Sequence, residues 1–145
     1  MGAAKGAHGF FANVGVLRSL HQADQLGNAG AIGASREPEA QQILLTAARG
    51  DRDARVRSQA VSQLSRQPIP NLAGVLGAIA ESDSDSEVSK RAVNSLASLS
   101  DGTGVPELIR LVKSSKSADV RKEAMRALGR AHDERATAFL EQVLR

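Results

Sequence analysis

One spacing limits what this chain can fold into: a register of 32 residues that recurs along its C-terminal three-quarters. The stretch SADVRKEAMRALGR (Ser117–Arg130) falls onto DSEVSKRAVNSLAS (Asp85–Ser98) when moved back 32 positions, and onto DARVRSQAVSQLSR (Asp53–Arg66) when moved back 32 more. Three apolar columns survive both shifts: Val56, Val88, Val120; Ala60, Ala92, Ala124; Leu64, Leu96, Leu128. Within each copy these residues stand one helical turn apart, on one face. A fixed period of this length belongs to chains that stack one supersecondary unit on the next.

A second set of columns precedes the first. Leu44, Leu76, Leu108 and Leu140 share the register, as do Ala47, Ile79, Leu111, Val143 and Ala48, Ala80, Val112, Leu144. Inside one copy they fall at i, i+3 and i+4, again one helical face. Each repeat is therefore two helices, A then B. Pro38 and Pro70 stand where the first two A helices begin, with Pro106 slightly later in the third, and a proline in the first turn removes no helical hydrogen bond. Gly50 reads as a stop, and Asp53, Asp85 and Ser117 as N-caps. The spacing predicts A helices at 38–49, 70–81, 105–114 and 134–144, and B helices at 54–66, 86–99 and 118–130. The fold class is all-α: a right-handed α-solenoid of antiparallel helix pairs, about three and a half repeats over 36–145.

Composition agrees. Three Phe and no Tyr or Trp leave a core of Leu, Val, Ile and Ala, which suits close helix packing. No cysteine is present, so disulfide, cysteine-metal and cysteine-redox chemistry are excluded. Net charge is only +3, and no apolar run is long enough to span a membrane. The first twenty residues lack a clean apolar core for a signal peptide, and Gly6 stands where a myristoylation signal needs Ser or Thr. A cytoplasmic location without membrane attachment is the resulting expectation.

Residues 1–35 stay outside the register. Phe10–Leu26 has helical rows and reads as one cap helix, with Phe10, Leu17 and Leu20 covering the first A/B pair. Gly27–Ser35, GNAGAIGAS, reads as a hinge. At the other end Ala136–Leu144 has no B partner; it is either a terminal cap or one helix of a longer array.

The pattern D-x-x-V-R-x-x-A-x-x-x-L, with a turn acid before the B helix, resembles HEAT repeats, in the short bacterial form called PBS-lyase HEAT-like. The resemblance covers 36–145 and implies an α-solenoid serving as a protein-binding scaffold. It also implies an Asp–Arg ladder between repeats, which carries over to Asp53 with Arg57 and to Arg121. Asp85 stands in place, but Ser89 replaces the arginine and Ser117 the aspartate, so the ladder is incomplete in the middle.

No catalytic constellation emerges. His8, His21 and His132 are scattered, and His132-Asp133-Glu134 reads as a polar inter-repeat turn, not a metal site. The acidic run from Glu81 to Glu87 lacks the glycine and terminal glutamate of a calcium loop. Gly102-Thr103-Gly104 has no lysine after it to hold a phosphate, and simply lengthens a turn. No serine has a positioned base. The expectation is a non-enzymatic chain with no cofactor and no metal.

One feature points to a partner. The outer positions of the B helices are Ser58, Ser62, Arg66; Lys90, Asn94, Ser98; and Lys122, Arg126, Arg130. Arg66, Lys90, Lys122, Arg126 and Arg130 make this ridge basic, with Glu87, Asp119 and Glu123 in neighbouring columns. In a solenoid the B helices line the concave side, so the ridge predicts binding of a protein with an acidic surface or segment. The alternatives are nucleic-acid backbone binding by the same ridge and, by analogy with phycobilin-lyase members, an accessory or lyase-like role. The lack of aromatics removes a stacking platform for single strands.

Overall fold

The computed structural model describes residues 38–145, so the cap helix and hinge expected in residues 1–35 lie outside the described residues. Seven helices and no strand occupy this range. They are α1 (Pro38–Gly50), α2 (Ala54–Leu64), α3 (Leu72–Ser82), α4 (Ser86–Ala97), α5 (Gly104–Ser114), α6 (Ala118–Arg130) and α7 (Glu134–Val143). The A helices are α1, α3, α5 and α7; the B helices are α2, α4 and α6. α1, α3 and α5 each pack on the B helix that follows, α7 packs on α6, and α2, α4 and α6 pack on one another in turn. Contacts within the A layer are sparser.

The caps explain the starts of the B helices. Asp53 accepts from the Arg55 amide at 2.8 Å, Asp85 from the Glu87 and Val88 amides at 2.9 and 3.1 Å, and Ser117 from the Val120 amide at 3.3 Å. Each satisfies amides that the first turn leaves without partners. Three boundaries depart by two residues from the sequence expectation, the end of α4 at Ala97 among them. α2 stops at Leu64, and the segment after it carries Pro68 and Pro70, which cannot continue a helix. α3 starts at Leu72, because Asn71 takes the left-handed conformation with φ 54° and breaks the helical run; Pro70 lies ahead of the helix.

The repeat columns form the core. Leu44, Leu76 and Leu108 from the A helices and Leu64, Leu96 and Leu128 from the B helices are buried. Ala60, Ala92 and Ala124 are also buried, so small side chains allow close helix crossings in all three repeats. The columns run out at α7. Val143 and Leu144 are 49% and 85% exposed, whereas Ala47, Ile79 and Leu111, which share the Val143 column, are buried.

Candidate binding face

The repeats are joined by a rung that the spacing misplaces. Arg57 on α2 binds Asp83, where the sequence pairs it with the capping Asp53: Nε donates at 2.8 Å and Nη2 at 3.0 Å to the two carboxylate oxygens. Capping engages Asp53 and Asp85 with the amides of their own helices, and the ladder carboxylate comes from two residues earlier. Asp83 also accepts from the Asp85 amide at 2.9 Å, which fixes its rotamer for the arginine. Burial works to raise the Asp83 pKa, but the Arg57 hydrogen bonds and charge prevail and hold it below the usual carboxylate value. Asp51 and Asp83 stand in one column with Ser115, and that recurrence two residues before each cap was the signal available in the sequence.

On the outer side of the B helices the structure places the five expected basic residues as follows. Arg66 is exposed, just past the end of α2. Lys90 on α4 is half-buried and its ammonium lies 2.9 Å from Glu87. Lys122, Arg126 and Arg130 are exposed on α6. Arg126 and Arg130 approach Glu123 at 3.5 and 3.6 Å. Asn94 on α4 donates to Glu123 at 3.1 Å and accepts a short hydrogen bond from Arg130, so one network ties α4 to α6. Glu123 is itself buried; that raises its pKa, but Asn94 and the two arginines outweigh burial and keep it ionised to lower pH. Three of the five cations are thus engaged by acids from neighbouring columns, while Arg66 and Lys122 form none of the ion pairs among the described residues.

A shallow groove runs between α2 and α4, lined by Ser62, Arg66, Arg91, Asn94 and Ser98 among others, with no acid in its walls. Arg91 is the residue the sequence reading missed. It sits one position past Lys90, in a column set aside as neighbouring, yet it is exposed and its Nε reaches Ser58 Oγ across the repeat at 3.4 Å.

The remaining candidates are structural. His132 is exposed and takes φ 48° immediately after the Ala131 C-cap, where the chain turns toward α7. Among the described residues no three His, Cys, Asp or Glu side chains gather where they could hold a metal ion. Gly102 has φ 70°, and Gly104 starts α5 against the Leu96 carbonyl, so this turn brings backbones into close approach. No helix among the described residues is long and apolar enough to cross a membrane.

A family model described as HEAT repeats matches residues 73–145, from α3 to the end of the chain. The chain belongs to the HEAT-repeat family. HEAT repeats generally mediate protein–protein interaction and typically form non-catalytic scaffolds. No curated protein matches this HEAT-repeat chain.

Proposed function

We propose that this HEAT array is a non-enzymatic interaction module that holds an acidic segment of a protein partner along the α2, α4 and α6 face. The observation that carries the reading is the groove between α2 and α4, which has Arg66 and Arg91 in its walls and no carboxylate. Lys122, Arg126, Arg130 and Lys90 extend the same face across α4 and α6. The B helices pack more closely on one another than the A helices do, which supports reading this face as the inner one. A concave surface gives an extended segment more contact than a flat one. The binding energy comes mainly from cations outside the Glu123 network, since Glu123 already neutralises part of the charge of Arg126 and Arg130.

The test is capture of partners on the immobilised chain, with and without nuclease, at low and high salt, followed by their identification. The expected result is a nuclease-resistant protein with an acidic segment, retained at low salt and lost with Arg66→Glu plus Arg91→Glu. Release by nuclease would transfer the face to nucleic-acid backbone binding. Equal retention by the reversed variant would remove the groove from the interface.

A further inference from the structure

We propose that the cavity between the N-terminal ends of α4 and α6 is a binding site for the guanidinium of an arginine side chain, supplied by a protein partner. The repeats themselves show what this place holds. In the first repeat Arg57 Nη1 donates to the carbonyls of Asp51 and Arg52 at 2.7 and 3.4 Å. In the third repeat Arg121 Nη1 donates to the carbonyls of Ser115 and Lys116 at 2.7 and 3.2 Å. The same two carbonyls in the second repeat belong to Asp83 and Ser84, and the helix position that supplies the arginine is Ser89. The Ser89 hydroxyl donates to the Asp83 carbonyl at 3.4 Å, and among the described residues no guanidinium reaches either carbonyl.

The ladder residue opposite is changed in step. Where Asp83 receives Arg57, the next repeat carries Ser115, so the rung has lost its cation and its carboxylate together. Both serines are buried, at 7% and 4% exposure, and neither leaves an unpaired charge behind. A cavity of about 140 Å³ opens at this place, lined by Asp83, Ser84, Ser89, Ser117, Asp119 and Glu123 with Lys90 at its side. The Lys90 ammonium is turned to Glu87 at 2.9 Å. Asp119 is exposed and forms none of the ion pairs among the described residues. The lining residues thus include Asp83 and Ser84, whose counterparts in the flanking repeats bind a guanidinium through their carbonyls, and Asp119 with its exposed carboxylate. A planar fork of N–H donors matches that set, whereas an ammonium presents a single point.

The proposal rests on the protein-binding reading only for the source of the arginine, so the pocket is tested with a small probe. The full chain is titrated with N-acetyl-arginine amide, and separately with N-acetyl-lysine amide, while backbone amide resonances are followed. The arginine probe is expected to shift Ser84, Ser89 and Asp119 saturably, with the lysine probe several-fold weaker. Ser89→Arg places a guanidinium there from within and is expected to abolish the response at Ser84 and Asp119. Asp119→Asn, an exposed change that leaves the core alone, is expected to weaken binding several-fold. Shifts that do not saturate, that spread equally to Glu87 and Asp133, or that survive both substitutions overturn the site. Failure here leaves the α2–α4 groove intact as a binding face, and failure of partner capture leaves the titration result standing.

Discussion

Arg57 on α2 and Asp83 in the turn ahead of α4 lie 26 positions apart and meet in a two-point ion pair at 2.8 and 3.0 Å. Their side chains are 12% and 6% exposed, so solvent screens the pair weakly. The rung fixes how the second repeat sits on the first, through charge and geometry added to the apolar columns.

That rung makes stability depend on acid in a defined direction. The folded Asp83 pKa is lowered, so its contribution is present above the unfolded value of ~3.9 and is lost as pH falls through the lower folded value. Asp83→Asn should cost about 3 kcal/mol near neutral pH, because it leaves Arg57 largely buried without its carboxylate. The gap to the parent chain should narrow as pH drops below ~3.9. Urea unfolding of both chains across a pH series measures it, and a gap that stays constant into acid would refute the assignment.

The serine rung gives the complementary prediction. Ser115→Asp alone should destabilise, since it sets a carboxylate at a buried position without a cation. Adding Ser89→Arg should recover much of the loss, with a favourable coupling of about 0.5–3 kcal/mol in a double-mutant cycle. Additive effects would mean that residues 89 and 115 do not face each other as Arg57 and Asp83 do.

How much of this was legible follows from what repeats. Columns recur, so Ala92 could be placed at a close crossing by register alone, and it is fully buried. Ala92→Leu should overpack that crossing and cost about 1–3 kcal/mol, read as a lower melting temperature. Features that break the register were hidden. Asn71 turns left-handed ahead of α3 where the sequence offered Pro70 as a helix start. Arg57 chooses Asp83 over Asp53 because capping consumes the nearer carboxylate, a competition that spacing does not display. The basic columns of the B face were visible, but their partial neutralisation by Glu123 depends on side chains reaching between helices.

The Gly102–Gly104 turn shows the same limit. Read from sequence it only adds length. In the structure a Cβ on Gly104 would fall 1.8 Å from the Leu96 carbonyl oxygen, a backbone atom with nowhere to rotate. Gly104→Ala should therefore destabilise by at least about 2 kcal/mol by overpacking. Gly129, inside α6, has nothing within 4 Å of the same added atom. Gly129→Ala should stabilise by about 0.5–1 kcal/mol through helix propensity. Thermal unfolding of the two variants should move in opposite directions, and a matched loss would show that Gly129 is also packed.

The B face can be divided by charge reversal. Arg126 and Arg130 both lean on Glu123, which is buried and also receives Asn94. Reversing both to Glu would set two carboxylates beside the buried Glu123 and strip it of its cations, so the variant should lose stability as well as binding. Arg66 and Lys122 form none of the ion pairs among the described residues, and both are exposed. Arg66→Glu with Lys122→Glu should leave the unfolding free energy within about 0.5 kcal/mol of the parent. The same pair should weaken an acidic partner, most at low salt where screening is least. Affinity is then measured against ionic strength for both double variants beside their unfolding curves. If Arg66→Glu with Lys122→Glu binds as the parent does at low salt, Arg66 and Lys122 carry no recognition, and the electrostatic role of the B face does not rest on them.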